Sequence, residues 1–284
     1  MISEEEVTSL MIAMKKRYGL DFTNYEPKSL NRGITRLMTK YNMNGMIDLW
    51  GRILNDEDFF VNGIDDLLVN LTELFRNPEA WIMIRDEILP EYQYDQEINI
   101  WHAGCSTGEE IYTMAIILTE CDLYRKSKIL ATDLSKTALN KAMKGVYSHA
   151  SLKNYLKPFM RIYPDRKLED YFDYSENSAT IKPYFQKNVS FMNHNLVERK
   201  MNQKFDIIFC RNVMIYFDQE LKARILSFFN DCLNEGGHLI LGYYDTMPNQ
   251  SIDLFDVYNN STRIYKKRVS QTNEKYEQAS VNSR

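Results

Sequence analysis

The chain has little of what marks a metal, disulfide or membrane protein. Its four cysteines show no C-x-x-C spacing, and its four histidines form no ligand cluster with them. This pattern predicts neither a metal site nor a disulfide framework. No stretch approaches the roughly 18 apolar residues of a membrane span, and the opening MISEEEV is acidic where a signal peptide is basic and then apolar. We therefore expect a cytoplasmic protein without direct membrane insertion.

The chain also has no excess of positive charge. The 35 basic residues are outnumbered by 39 acidic ones, which leaves a net charge of −4. This balance argues against a general nucleic-acid binder. A hydrophobic content of 44% over 284 residues is ordinary for a globular protein and allows one large domain, or a domain with a small companion. We expect it to act as a monomer.

The sequence is organised around residues 98–110, INIWHAGCSTGEE, where an apolar run stops abruptly at small residues. The pattern predicts a strand, a tight loop and a helix that begins at Glu109. In an open α/β sheet, ligands bind outside the carboxyl ends of strands, where glycines let the backbone approach. A second apolar run, KILATD, ends at Asp133, where such folds place a carboxylate against ribose hydroxyls. The two strand ends predict a nucleoside site that includes Gly104 and Asp133.

The order of the glycines separates two kinds of ligand. A dinucleotide site has G-x-G-x-x-G and a free helix N-terminus for the pyrophosphate. Here the order is G-C-S-T-G-E-E, with Glu109 and Glu110 in the place of that phosphate. These acids would repel a pyrophosphate, whereas the cationic sulfonium of S-adenosylmethionine suits an acidic rim. The alternative is an ordinary strand-to-helix connection whose acids favour the helix N-terminus.

Residues 1–68 predict a small all-α domain, because they carry helical periodicity and almost no strand signal. A helix that starts after Pro27 spaces four cations by four residues, which puts them on one stripe: Lys28, Arg32, Arg36 and Lys40. Residues 27–54 hold five cations, these four and Arg52, against one acid, Asp48, so the stripe looks uncompensated. We interpret it as a docking surface for an acidic helix; a solvated helix face is the alternative.

Strand and helix alternate after this domain, as a parallel sheet requires. A helix-like pattern runs on from residue 65 and breaks at Asn77-Pro78, so residues 69–97 are predicted to link two domains through helices. Further helices are predicted at 78–88, 109–121, 136–144 and 219–234, and strands at 98–103, 129–132, 189–196, 205–212, 238–242 and 262–266. Residues 145–188 predict an inserted lobe with a β-hairpin of 170–174 and 179–183, joined by a short turn. The second domain thus spans 98–268, and the polar tail 269–284 is predicted to be disordered.

Two more strand ends carry polar residues. Asn195 follows VSFMNH, and Arg211-Asn212 ends FDIIFC. A buried Asn or Arg is costly unless it is paired, and its partner is either the fold or a ligand; for each residue alone both remain open. Together with Gly104 and Asp133, these residues suit one adenosyl ligand. The convergence favours a methyltransferase over a generic nucleotide-binding fold.

Five motifs, in the same order, resemble those of the CheR-type chemotaxis receptor methyltransferases, which methylate glutamate side chains with S-adenosylmethionine. They are LTELFRNP (71–78), WHAGCSTGEE (101–110), ATDLSKTALNKAMKGVY (131–147), FDIIFCRNVMIYF (205–217) and EGGHLILG (235–242). The resemblance extends to about Lys267. It implies an α/β fold: a Rossmann-like S-adenosylmethionine-dependent methyltransferase domain with a small inserted β-subdomain, preceded by a small all-α domain. It also implies S-adenosylhomocysteine as product and a chemoreceptor cytoplasmic domain, with its glutamate-bearing helices, as protein substrate.

The resemblance also implies site residues. Positions that surround the cofactor in the family match Asn70, Thr72, Arg76, Glu110, Asp133, Asn195, Leu196, Arg211 and Asn212. Positions implicated in catalysis match Arg76 and Tyr216. Without the resemblance, Arg76 reads as a cation favourably placed near a helix C-terminus.

The chain departs from the family pattern in three places. Leu74-Phe75 stand where members usually have two aromatic residues, and residues 242–245, GYYD, stand where the family has a segment resembling G-x-S-E. The second departure concerns the substrate rather than the cofactor. The inserted lobe has no glycine between Val146 and Asn188, whereas members that tether to a receptor's C-terminal peptide carry a glycine-bearing turn there. We therefore expect no binding of such a peptide.

Other functions remain open beside a protein-glutamate methyltransferase. An NAD(P)-linked oxidoreductase is weakened by the two glutamates and by the missing phosphate loop. A non-catalytic adaptor that binds S-adenosylmethionine is opposed by the presence of both Arg76 and Tyr216, but the GYYD departure keeps it open. A methyltransferase that acts on a protein other than a receptor is the third alternative.

Overall fold

The structure, a computed structural model, describes residues 2–68 and 72–269. Its first part is helical, as predicted: α1 (Glu4–Tyr18), α2 (Pro27–Lys40), α3 (Met46–Asn55) and α4 (Glu57–Leu67). The helical periodicity of the sequence places Val7, Leu10, Met11 and Met14 on one apolar stripe of α1, and all four are buried. Ser3 and Glu6 close the N-terminus of this helix with a reciprocal capping box. α2 packs closely on α4, because a side chain at Gly33 would approach the carbonyl oxygen of Leu67 to 2.5 Å.

The second part alternates strands and helices. In chain order its elements are α5 (Pro78–Met83), β1 (Ile98–Ala103), α6 (Glu109–Glu120), β2 (Ser127–Asp133), α7 (Lys136–Lys144), β3 (Val146–Ser148), α8 (His149–Ile162), β4 (Phe172–Tyr174), β5 (Ser178–Ile181), β6 (Val189–Asn193), β7 (Phe205–Cys210), α9 (Gln219–Cys232), β8 (Leu233–Leu241), β9 (Phe255–Asn259) and β10 (Ile264–Lys267). A π-helical segment, Ile84–Ile88, extends α5. The predicted alternation is confirmed, although sequence reasoning missed β9.

The large sheet has the order β6-β2-β1-β7-β8-β10-β9. Its first five strands are parallel neighbours, while β10 is antiparallel to both β8 and β9. The chain moves outward from β1 through β2 to β6 and then returns to build β7 and β8 on the other side. Strand order therefore reverses between β1 and β7. In an open α/β sheet, that reversal creates the crevice where ligands bind.

Both faces of the sheet are buried, as a parallel sheet requires. Ile100 and Phe209 point into a core shared with α6 and the inserted lobe. Trp101 and Ile208, one residue away on the same strands, point into a second core that the N-terminal helices share with α9. The helical part is thus packed directly on the sheet, which holds α2 in a fixed position relative to the carboxyl ends of the strands.

The inserted lobe is richer than predicted. The hairpin is confirmed as β4 and β5, with β3 added on the far side of β5 to give the order β3-β5-β4. The strand β3 and the helix α8 were missed. Pro158 lies inside α8, where a proline normally ends a helix, so the helical pattern there was obscured.

Two other predictions are wrong. The helix-like pattern predicted from residue 65 to 77 stops at the end of α4, and the described residues 72–77 form no helix, since Phe75 and Asn77 take left-handed backbone angles with φ of 58° and 57°. Residues 235–237, which the predicted helix 219–234 and strand 238–242 leave as a connection, instead lie inside β8. Phe205 of β7 pairs with Leu233 of β8, but Ile207 already pairs with His238, so β8 bulges between these two pairs. This bulge accommodates the glycines without ending the strand. The predicted tail lies outside the described residues, apart from Val269.

None of the helices within residues 2–68 and 72–269 combines the length and the apolar character needed to cross a membrane.

Candidate active site

A pocket that is partly open to solvent lies at the carboxyl ends of the central strands. It brings together most of the predicted cofactor residues: Thr72, Arg76, Gly104, Glu110, Asp133, Asn195, Leu196, Arg211 and Asn212. Tyr216 lines it as well. Asn70, also predicted, lies outside the described residues. The pocket therefore forms where strand order reverses, from residues that are far apart in the sequence.

The loop after β1 is pulled tightly onto β2. The amides of Gly104 and Cys105 both donate to the carbonyl oxygen of Thr132, at 2.8 and 2.9 Å. Gly104 has φ of +83°, and a Cβ there would lie 2.4 Å from Val213 Cγ2. A larger residue is excluded by both the backbone angle and the space. The glycine thus keeps the pocket floor open at this point.

Asp133 organises the same loop. Its carboxylate accepts hydrogen bonds from the Ser106 amide at 2.7 Å and the Ser135 amide at 2.9 Å. Burial raises the pKa of Asp133, and these amide bonds oppose the increase. The Ser135 hydroxyl donates in turn to Asp65 on α4, which ties the helical part to the pocket. A carboxylate has about four acceptor sites, so Asp133 can hold the loop and still accept a ligand hydroxyl.

Glu110 and Arg211 form a buried charged pair at the back of the pocket. Glu110 Oε2 lies 3.1 Å from Arg211 Nη1, and Oε1 lies 2.9 Å from His102 Nδ1. Burial alone would raise the pKa of Glu110, but His102 and Arg211 outweigh it and keep the pKa below its usual value. Arg211 also donates to the carbonyl oxygen of Arg76 at 2.9 Å and to Asn77 Oδ1 at 3.0 Å. The pair therefore fixes the 76–77 turn against the end of β7.

Only one of the two loop glutamates faces the pocket, so the prediction that both form its acidic rim is wrong. Glu109 is 5% exposed and accepts a hydrogen bond from Thr107 Oγ1 at 2.7 Å, and burial raises its pKa. Successive helical residues point about 100° apart, so adjacent acids at a helix start cannot share one face. The acidic lining comes instead from Glu110, Asp133 and Glu73.

Sequence reasoning missed several polar groups of the pocket. His194 and Ser106 line it, and His194 Nδ1, Ser106 Oγ and Arg211 Nε are buried without a hydrogen-bond partner among the described residues. Burial lowers the pKa of His194, so its ring is neutral near pH 7. Buried polar atoms are almost always paired, and a polar ligand would pair these. Such atoms beside an acidic wall fit S-adenosylmethionine, which has an adenine, a ribose, a sulfonium and an amino acid.

Tyr216 lies where the two parts of the chain meet. The Glu26 amide donates to the carbonyl oxygen of Tyr216 at 2.8 Å, and the Asp218 amide donates to that of Asn24 at 2.9 Å. The start of α2 is thereby attached to the Tyr216 segment. Burial raises the pKa of the Tyr216 phenol, so the hydroxyl keeps its proton at neutral pH and can donate a hydrogen bond.

A further carboxylate, Asp245, joins the ends of β7 and β8. Its Oδ2 atom accepts from the Asn212 amide at 2.6 Å and the Gly242 amide at 2.8 Å. Burial raises the pKa of Asp245 to about 6, although these bonds oppose the change. Asn212 lines the pocket. The acid at the end of the GYYD segment therefore supports the pocket wall, a role its position in the sequence did not reveal.

The basic stripe on α2 is partly compensated, which corrects the sequence prediction. Lys40 Nζ lies 2.7 Å from Asp66 Oδ1. Arg36 donates to the carbonyl oxygen of Asp66 at 2.6 and 2.9 Å and to that of Leu68 at 3.1 Å. The acid and the carbonyls come from the end of α4, too far along the chain for a local pattern to show. All four cations are exposed, and Arg32 and Arg36 line a cavity that also includes Tyr216.

Within residues 2–68 and 72–269, we find no group of three or more His, Cys, Asp or Glu side chains that could hold a metal ion.

The fold and the pocket together define an S-adenosylmethionine-dependent methyltransferase. Residues 70–264 match the family model described as CheR methyltransferase, SAM binding domain, and residues 5–68 match the CheR methyltransferase, all-alpha domain. The chain therefore belongs to the CheR methyltransferase family, as its motifs suggested, and S-adenosylmethionine is its cofactor.

Individual relatives support the same family assignment. Cher3 of Pseudomonas putida, named only provisionally as a methyltransferase, is 31% identical over 92% of this chain and 96% of its own. Chemotaxis protein methyltransferase 1 of Vibrio cholerae is 28% identical over 93% of this chain and 98% of its own. The solved N-methyltransferase NodS of Bradyrhizobium japonicum, in complex with S-adenosylhomocysteine, covers 85% of this chain and 99% of its own at 11% identity, with a TM-score of 0.41. That likeness is too distant to inform the site.

Proposed function

We propose that this enzyme methylates glutamate side-chain carboxylates on a protein, and that the protein is a chemoreceptor whose methyl esters serve sensory adaptation. The observation that carries the proposal is the position of Arg76 and Tyr216. Both line the pocket that gathers the cofactor positions, and Tyr216 also borders the cavity beside the cations of α2. An acidic acceptor would therefore meet positive charge before it reaches the reacting centre.

Different pocket residues would bind different parts of the cofactor. Asp133 would accept ribose hydroxyls, while Glu110 places negative charge near the sulfonium. S-adenosylmethionine supplies a methyl group bound to a cationic sulfur and therefore open to attack by a nucleophile. Asn195, whose Oδ1 accepts from the Val197 amide at 3.1 Å, keeps its amide donors for the ligand.

The acceptor needs positioning more than activation. A glutamate with a pKa of about 4.3 is already ionised at neutral pH, so its attack requires no general base. Opposite charges partly cancel as the methyl group moves, so strong stabilisation of the separated ions would slow the step. Orientation and exclusion of water can together contribute roughly 7–11 kcal/mol. Arg76 would orient the carboxylate through its planar fork, and the protonated Tyr216 hydroxyl would donate to the same oxygen.

Docking of the acceptor helix falls to the first half of the α2 stripe. All four cations are exposed, but Arg36 and Lys40 bind the end of α4, which leaves Lys28 and Arg32 for docking. Exposed charges act mainly on encounter and are screened beyond about 8 Å at physiological salt. Reversal of charge in Arg32→Glu should therefore raise the Michaelis constant for the protein substrate several-fold at low salt, and less at high salt.

We further propose that the enzyme acts in the cytoplasm as a monomer. Residues 1–68 serve docking, 69–97 link the two domains, and 98–268 carry the transfer, with the inserted lobe near 145–188. That lobe would not bind a receptor's C-terminal peptide, since it lacks the glycine of tethering relatives. Titration of such a peptide into the protein should give no measurable binding.

The decisive experiment combines labelled S-adenosylmethionine with the purified cytoplasmic fragment of a chemoreceptor from the same organism. The fragment should become labelled, and mild base should release the label as methanol, because an ester hydrolyses and a methylated amine does not. Label that survives base would rule out glutamate esters. If the protein binds S-adenosylmethionine but transfers no methyl group to the fragment, a methyltransferase that acts on a protein other than a receptor becomes the favoured alternative.

A further inference from the structure

Two exposed aromatic rings project from a tight turn beside the active site. The Asp245 amide donates to the carbonyl oxygen of Gly242 at 3.0 Å, which closes a four-residue turn with Tyr243 and Tyr244 at its tip. Their side chains are 57% and 70% exposed. The rings touch edge to face, with centroids 5.2 Å apart. The turn thus presents one continuous aromatic surface to solvent.

This turn is fixed to the wall of the pocket. β8 runs parallel to β7, so the turn leaves the sheet at the edge where the pocket lies. The Asp245 carboxylate binds the amides at both strand ends, and a Cβ on Gly242 would lie 2.4 Å from the Asn212 amide nitrogen. Because Asn212 lines the pocket, the turn has little freedom to move away from it.

Two tyrosines are unusual at the tip of a tight turn. Central positions of tight turns favour Gly, Pro, Asn, Asp and Ser, and an exposed ring gains little from folding. Single exposed aromatics are ordinary; Tyr94, 91% exposed, is one. A contacting pair on a rigid turn differs, because tyrosine offers a large contact area at low entropic cost and is enriched at interfaces.

The turn and α2 both adjoin the segment that carries Tyr216. Arg32 and Arg36 border the cavity that includes Tyr216. The Asp245 carboxylate accepts a hydrogen bond from the amide of Asn212, which is the first residue of the segment 212–216 that ends at Tyr216. A chain that delivers a glutamate to Tyr216 must rest on this rim, since only its acceptor side chain can enter the pocket. The rim is cationic at α2 and aromatic at the turn.

We propose that Tyr243 and Tyr244 form a specificity surface that packs against aliphatic side chains of the acceptor helix, one helical turn from the glutamate that is methylated. The inference rests on the proposed function and deepens it. On a helix, residues three and four apart share a face, so a helix with an acid in the pocket presents its neighbouring turns to the rim. Arg32 would contact acids of that helix, while the tyrosine pair would contact its apolar residues.

The test is a double substitution, Tyr243→Ala with Tyr244→Ala, assayed with the cytoplasmic receptor fragment and labelled S-adenosylmethionine. The Michaelis constant for the fragment should rise at least about fivefold, as truncation of interface anchors does, while kcat and the affinity for S-adenosylmethionine stay at parent values. Phenylalanine at both positions should restore most of the loss, because the contact is apolar. Tyr94→Ala is the matched control and should behave like the parent.

Salt separates this surface from the α2 stripe. The ratio of Michaelis constants between the double alanine variant and the parent should stay constant as ionic strength rises, because apolar contacts are not screened; the ratio for Arg32→Glu should shrink. An active parent with an unchanged Michaelis constant in the alanine variant would overturn the inference and leave the proposed function standing. A parent that does not methylate the fragment would overturn both.

Discussion

Replacing Arg36 by alanine should lower the free energy of unfolding by about 1–2 kcal/mol. The guanidinium makes four hydrogen bonds of 2.6–3.4 Å to the carbonyl oxygens of Asp66, Leu67 and Leu68. These carbonyls end α4, where a cation is favoured by the helix dipole. A hydrogen bond to a charged group contributes about 1.5–3 kcal/mol when buried, and exposure to solvent reduces that figure.

Arg32 supplies the matched control, because it lies one turn earlier on the same face. Its side chain is exposed and donates to the Ser29 hydroxyl, within the same helix, at 3.0 Å. Arg32→Ala should therefore change stability by less than about 0.5 kcal/mol. Urea unfolding followed by circular dichroism, with all variants at one salt concentration, measures both changes.

The two variants should separate stability from docking. Arg36→Ala should shift the urea midpoint and leave most of the substrate affinity intact, whereas Arg32→Ala should leave the midpoint and weaken use of the protein substrate. If Arg36→Ala unfolds at the parent midpoint, its bonds to the end of α4 do not stabilise the protein. The stripe would then act as one docking surface, as the sequence suggested.

Three other outcomes are expected. Asp133→Asn should weaken S-adenosylmethionine binding in calorimetry by about 1.5–3 kcal/mol; unchanged affinity in a folded variant would contradict the ribose assignment. Tyr216→Phe should lower kcat roughly tenfold or more through the loss of one oriented donor, with the urea midpoint unchanged, and parent turnover would remove its catalytic role. The pKa of Asp245 is raised from 3.8 to about 6 by burial. The preference of the fold for the protonated carboxyl therefore stabilises the protein fully below pH 3.8, and this contribution is lost as pH rises through about 6. The free energy of unfolding of Asp245→Asn, relative to that of the parent, should accordingly rise by about 2–3 kcal/mol from pH 4 to pH 7. An equal difference in urea midpoint at both pH values would refute this.

Sequence patterns predicted the parts of the fold that depend on local periodicity. The stripe of α1 and the apolar run of β1 each bury the residues that the pattern marked, because a 3.6- or 2-residue period needs only neighbours in the chain. The positions of Gly104 and Asp133 at adjacent strand ends follow from the same reasoning, since β1 pairs with β2 in parallel.

Features set by distant partners could not be predicted in this way. The acid that pairs with Lys40 comes from α4, and the groups that bind Glu110 come from β1 and the end of β7. Only the folded structure shows that His194 Nδ1 and Ser106 Oγ are buried without a hydrogen-bond partner among the described residues. A sequence shows which residues carry charge, but the pairing of those charges is decided by the tertiary structure.

Three carboxylates of the site each accept hydrogen bonds from other groups of the protein. Asp133 and Asp245 each accept two backbone amides, and Glu110 holds His102 and Arg211. Truncation of any of them to alanine would leave buried donors without acceptors, at a cost of about 1–3 kcal/mol each, and would displace a wall of the pocket. A loss of binding in such a variant would therefore not show that the carboxylate touches the ligand. Replacement by the amide keeps one acceptor oxygen and turns the other into a donor. Asp245 accepts both amides on Oδ2, so Asp245→Asn can keep both bonds, whereas Asp133 and Glu110 each use both oxygens and lose one. For those two residues, ligand contact is separated from loop support by comparing the loss of cofactor affinity with the shift of the urea midpoint.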